Sequence, residues 1–155
     1  MTHNTTSYST LDEIKNLVRS FEKCTLPRKE WTHQAHLIVA LWYLTRYPET
    51  EVVELVRDTP EGTLRERIKK YNASQGIKTT QYSGYHETIT LFWIQIVRNF
   101  LAAEGVNFPL VHLANYLLLA YGDKNLPFEY YSRQLLMSWE ARKHWVEPDL
   151  QPLPN

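Results

Sequence analysis

The 155-residue chain has one cysteine, no excess of either charge sign, and no apolar run long enough to cross a bilayer. Each absence removes a class of protein. A single cysteine, Cys24, allows neither an intrachain disulfide nor a cysteine metal cluster. Its default reading is a small buried hydrophobe. Lys and Arg number 17 against 17 Asp and Glu, which gives no electrostatic footprint for nucleic acid or an acidic membrane surface. The longest apolar stretches, 37–44 and 116–121, fall far short of a membrane span, which needs about 20 residues. The first ten residues are polar and lack the apolar core of a secretory leader, so a cytoplasmic location is expected. There is also no glycine-rich phosphate loop, Gly-x-Ser-x-Gly elbow, His-Glu-x-x-His helix or EF-hand loop.

What is present is helical periodicity. Thr10-Leu11-Asp12-Glu13 fits a capping box, and Leu11, Ile14, Leu17, Val18 and Phe21 follow at three- and four-residue spacing to Lys23. Thr32 is placed to cap a second helix that reaches Arg46 or Tyr47 and stops at Pro48. A short helix over 51–57 breaks at Thr59-Pro60-Glu61-Gly62, and helical character resumes over 63–72. Residues 73–84 read as a polar Gly/Ser/Thr loop, expected to be mobile and to border a cavity. A fifth helix starts near Tyr85, carries the stripe Ile89, Phe92, Trp93, Ile96, Val97 and Phe100, and ends at Gly105. Pro109 starts a sixth that ends with Gly122 as its left-handed C′ residue. Pro127 starts a seventh carrying Leu135, Leu136 and Trp139. No strand alternation is sustained, so the chain reads as one all-α domain over 1–155, a compact bundle of six or seven helices. Residues 1–9 form a flexible lead and 146–155 an extended Pro-rich tail.

Two motifs bear on chemistry. In Trp31-Thr32-His33-Gln34-Ala35-His36, the i, i+3 histidines share one helix surface. In Gly84-Tyr85-His86-Glu87-Thr88, His86 lies on the apolar stripe of the fifth helix. If the second and fifth helices bring their starts together, His33, His36 and His86 form a three-histidine site suited to a divalent transition metal, zinc or iron. Tyr85 and Glu87 then stand at its edge as acid or base candidates. The plain alternative is that His33 faces solvent, His36 is a satisfied core histidine, and Glu87 is an acid in a first turn. His112, among Val111, Leu113 and Leu117, reads as packed, and His144 as solvent-exposed. The only basic cluster is Arg65, Arg67, Lys69 and Lys70, followed by Tyr71-Asn72. It is a solvated helix face by default, or a contact for an anion or phosphate, because Arg65 and Lys69 share a side and Tyr82 and Tyr85 can close over a ligand.

Glu30-Trp31-Thr32-His33 with His36-Leu37, then 67–72, then Gly84-Tyr85-His86-Glu87-Thr88, and finally 131–142 with Trp145-Val146-Glu147-Pro148-Asp149, together resemble a family of uncharacterised bacterial proteins of unknown function. The resemblance spans the chain from Glu30 onward. It implies one intact domain and transfers no substrate and no catalytic residue.

The leading functional reading is a histidine-lined pocket acting as a metal-dependent enzyme on a small molecule. The second is a metal-free module in which the histidines, Arg67, Tyr71, Asn72 and Tyr85 bind a small organic ligand. The third is a structural or interaction protein whose polar residues only satisfy one another.

Overall fold

The computed structural model describes residues 7–46, 63–105 and 107–154. Among them lie seven α-helices and no strand, only an isolated bridge between Thr80 and Ser83. The helix expected over 51–57 lies outside the described residues.

Helix α1 (Leu11–Glu22) opens with the capping box foreseen at Thr10 and Glu13, which satisfies backbone donors that the first turn leaves open. It ends in a turn where Cys24 takes φ of 59°, the left-handed region. Cys24 is therefore half-buried at a helix end and not the enclosed hydrophobe expected. Helix α2 (His33–Arg46) starts where Thr32 Oγ1 accepts the Ala35 N–H at 3.2 Å. Ala35, Leu37, Ile38, Val39, Ala40, Leu41, Tyr43 and Leu44 are all buried, so α2 is enclosed on most sides and forms the bundle's axis.

Helix α3 (Leu64–Ser74) has its own capping box, Thr63 with Glu66. Helix α4 (Glu87–Glu104) begins two residues later than its sequence pattern suggests, because His86 serves as its N-cap. Helix α5 (Leu110–Tyr121) follows Pro109 as anticipated. The seventh predicted helix does not run unbroken from Pro127. A 3-10 turn (Leu126–Glu129) is followed by two short helices, α6 (Arg133–Leu136) and α7 (Trp139–Lys143), each restarted by a serine cap, Ser132 and Ser138.

Helix α4 divides the core. One side joins α1, α2, α3 and α5 through Ile94, Val97, Phe100 and Leu101. The other side, Phe92 and Ile96, packs with Tyr131, Leu136, Trp145, Val146 and Leu153. The C-terminal stretch is thus anchored: Leu150 N–H donates to Tyr130 O at 2.9 Å, and Asn99 Nδ2 donates to Pro154 O at 3.1 Å.

Gly122 closes α5 for a reason other than the one its position suggests. Its φ is −70°, an ordinary right-handed value. A Cβ there would lie 2.7 Å from the Leu118 carbonyl oxygen, so the site needs the missing side chain and not the left-handed freedom. Gly122→Ala is expected to lower stability by about 1–3 kcal/mol through overpacking. An unchanged urea midpoint would contradict the close approach.

Candidate functional site

The structure gives each of the three histidines grouped by the sequence pattern its own backbone partner. His33 Nε2 donates to the Tyr121 carbonyl at 3.0 Å, and its ring leans on Trp93 with centroids 4.6 Å apart. His36 Nδ1 donates to the Thr32 carbonyl at 2.6 Å, and its ring stacks on Trp31 at 3.7 Å. A carbonyl can only accept, so each proton position follows from its partner. His86 spends both nitrogens: Nε2 donates to Leu136 O at 2.7 Å, while Nδ1 accepts the Ile89 N–H at 3.0 Å as the helix cap. An imidazole lone pair occupied by an amide proton has nothing left for a metal. Among the described residues, no group of three or more His, Cys, Asp or Glu is arranged to hold a metal ion. The expected three-histidine centre is therefore not formed among the described residues.

His36 borders a small, largely apolar cleft of about 70 Å³ with Trp31, Ile68 and Trp93. His112 is exposed, 5.0 Å from the Phe108 ring, where a packed position was expected.

Helix α3 sorts the predicted ligand residues into two faces. Arg67 and Tyr71, one turn apart, face the bundle. Arg67 is buried, and its Nη1 donates to Glu22 Oε2 at 2.7 Å in a network that includes the Tyr43 hydroxyl. Tyr71 is fully buried and donates to the Leu26 carbonyl at 2.7 Å. Asn72 uses its backbone carbonyl to close the turn after α3, accepting from Ile77 N–H at 2.9 Å. Arg67 and Tyr71, expected as ligand contacts, thus pack in the core, and the backbone of Asn72 closes a turn.

Arg65 and Lys69 point the other way, into a cavity of about 290 Å³ that Tyr85 and Glu87 also line. Across it stand Trp139, Arg142 and Lys143 of α7. Arg65 holds Glu87 with two donors, Nε at 3.0 Å and Nη2 at 2.5 Å, and the Tyr85 hydroxyl donates to the same carboxylate at 2.7 Å. Burial, reinforced by the Glu87 carboxylate, raises the Tyr85 pKa above the ordinary phenol value, so the phenol keeps its proton. Tyr85 and Glu87, expected at the edge of a three-histidine site, thus line this cavity instead, as members of a fixed pair.

Arg142 builds the cavity floor and was not singled out from sequence. It is 4% exposed. Its Nε donates to Gln81 O, and Nη1 donates to the carbonyls of Ser83, Gly84 and Tyr85 at 2.9–3.1 Å. The polar loop expected to be mobile is thereby held through these four carbonyls. Gly84 allows the tight pass: its φ is +88°, and a Cβ would sit 2.8 Å from Thr79 Cα. Arg142 Nη2 has no hydrogen-bond partner, and no carboxylate pairs with Arg142 among the described residues. Lys69 and Lys143 likewise make no ion pair there; their ammonium groups lie 5.1 Å and 5.2 Å over the rings of Tyr85 and Trp139.

No family profile, curated protein or solved structure matches the chain. No helix among the described residues is long and apolar enough to cross a membrane.

The three histidines leave a pH signature. Burial lowers the pKa of His33 and His86 below the ordinary 6.5, and desolvation by its packed neighbours lowers that of His36 to about 4. His36 itself remains exposed to solvent, which offsets part of that desolvation. For His86 the charge of Arg142 adds to the effect. The unfolded chain then binds more protons than the folded one below about pH 6.5. Stability is fully present above that pH and declines as pH falls toward the folded values. His86→Asn keeps a capping side chain but removes one titrating group. It is expected to flatten the decline between pH 6.5 and 5 by up to about 1.4 kcal/mol per pH unit. Urea titrations at stepped pH showing the same slope in both proteins would refute a neutral, buried His86.

Proposed function

We propose that the cavity between α3, the start of α4 and α7 binds a small anionic molecule, and that the chain is a small-ligand binding module. The observation that carries this reading is Arg142, buried beside the cavity with an unspent Nη2 and no counter-ion among the described residues. Four cationic side chains and one carboxylate line the space, and that carboxylate is already committed to Arg65. A buried cation satisfied by carbonyl dipoles alone keeps its full charge, and an anion entering the cavity supplies what is missing. Near a protein surface each opposite charge at 4 Å contributes about 4 kcal/mol before desolvation is subtracted. Three unpaired cations therefore leave a net attraction for an anion and a net repulsion for a cation.

The exposed face of Trp139, 44% accessible, gives the ligand a flat apolar wall beside the charges. Binding supports this geometry better than acid–base chemistry: Glu87 has both oxygens engaged, and Tyr85 holds its proton.

Calorimetric titration at low ionic strength with benzoate, phenyl phosphate, benzyl alcohol and benzylamine tests the reading. The anions are expected to bind, and the neutral and cationic compounds to bind at least about tenfold more weakly. Lys143→Glu should weaken the anions by a similar factor, with no loss of fold because Lys143 is exposed. Equal binding of benzyl alcohol and the anions, or no binding by any anion, would overturn it.

A further inference from the structure

Resting on that reading, we infer that the anion is the tetrahedral dianion of a phosphate monoester, attached to a planar ring, and not a carboxylate. The distinction comes from which donors remain available. Carboxylates are best held by the paired N–H groups of one guanidinium, which match two coplanar oxygens. Neither arginine in the cavity offers such a pair. Arg65 has given Nε and Nη2 to Glu87. Arg142 has given Nε and Nη1 to four loop carbonyls.

What is left is a set of single-point donors on separate elements: Arg142 Nη2 and the Lys143 ammonium from α7, and the Lys69 ammonium from α3. Ammonium groups are compact point charges that rotate to meet an oxygen from any direction. Three such donors suit three terminal oxygens spread over a tetrahedron. A planar carboxylate, with two coplanar oxygens, would have to meet two of these separately placed donors with one oxygen.

Charge agrees with shape. Lys69, Arg142 and Lys143 carry three positive charges without a carboxylate partner among the described residues, while Arg65 and Glu87 cancel each other. A phosphate monoester carries about −1.5 to −2 near neutral pH, so it neutralises most of this excess where a monoanion neutralises a third. The rest of the molecule meets Trp139, whose ring already carries Lys143 5.2 Å over it. A flat ring attached to the phosphate would lie against the indole, with the cavity of about 290 Å³ large enough for both parts.

The test compares ligands that share a ring and differ in the anion: phenyl phosphate, phenyl sulfate, phthalate and benzoate, titrated into the intact chain at pH 7.5. Phthalate matches the dianionic charge without the tetrahedral shape, and phenyl sulfate matches the shape with half the charge. Phenyl phosphate is expected to bind at least about tenfold tighter than phthalate and several-fold tighter than phenyl sulfate, the tenfold being one charge-assisted hydrogen bond. Lys69→Gln, at an exposed position, should cost phenyl phosphate about tenfold and benzoate no more than about twofold. Phthalate equal to phenyl phosphate would overturn the tetrahedral assignment and leave the anion site standing. Phenyl sulfate equal to phenyl phosphate would overturn the dianion. Failure of all four ligands would remove the anion site itself, and with it this inference.

Discussion

The organisation of the site depends on one buried guanidinium. Arg142 binds four consecutive or near-consecutive carbonyls of the loop before α4, across a sequence separation of 57 to 61 residues. It is a single side chain doing what a strand pairing would do in a sheet. The loop's oxygens need donors, because they turn away from the helices on either side. The guanidinium needs acceptors, because it is removed from water. Each solves the other's problem, and the result sets where Tyr85, His86 and Glu87 stand when α4 begins.

That fastening has companions on the same end of α4. His86 reaches Leu136, and the Thr88 hydroxyl donates to His144 O at 2.8 Å and accepts the Val146 N–H at 3.2 Å. The Tyr131 hydroxyl donates to Val146 O at 2.7 Å. The C-terminal segment is therefore held by polar contacts at the start of α4, and by Phe92, Ile96 and Leu136 further along. Short helices such as α6 and α7 have too few internal hydrogen bonds to persist alone, so their geometry derives from this docking. Trp139 and Lys143 reach the cavity only because α7 is fixed there. The cavity wall made from α3 and α7 thus depends on a core that neither helix dominates.

Much of the fold was legible because its signals are local. The Thr10 capping box, the Thr32 cap, Pro109 and the glycine at 105 all mark helix ends where the structure has them. The run from Pro127 misled because apolar spacing continues through two serines, and Ser132 and Ser138 each restart the helix as a cap. Half of the site was also legible. Arg65, Lys69, Tyr85 and Glu87 attract attention by charge and spacing, and all four line the cavity. The other half, Trp139, Arg142 and Lys143, lies more than 50 residues further on, where no periodicity reports on contact. Arg67 is the instructive failure: it looks like Arg65 in sequence, yet two residues is about 200° around a helix. That rotation sends Arg67 to Glu22 and Tyr43 in the core and Arg65 to Glu87 at the cavity.

The histidines fail as a metal set for a reason that extends beyond their geometry. A histidine near a helix start faces two demands, the open N–H groups of the first turn and the positive end of the helix dipole. Both favour a neutral ring that accepts an amide proton, which His86 satisfies through Ile89. A metal dication at the same end would meet the same positive potential, with Arg142 beside it raising the cost further. An anion meets the opposite field. The start of α4, the buried guanidinium and the two lysines without an ion pair among the described residues all act in one direction, so the features that disfavour a cation at this end of the molecule are those that favour a negative charge.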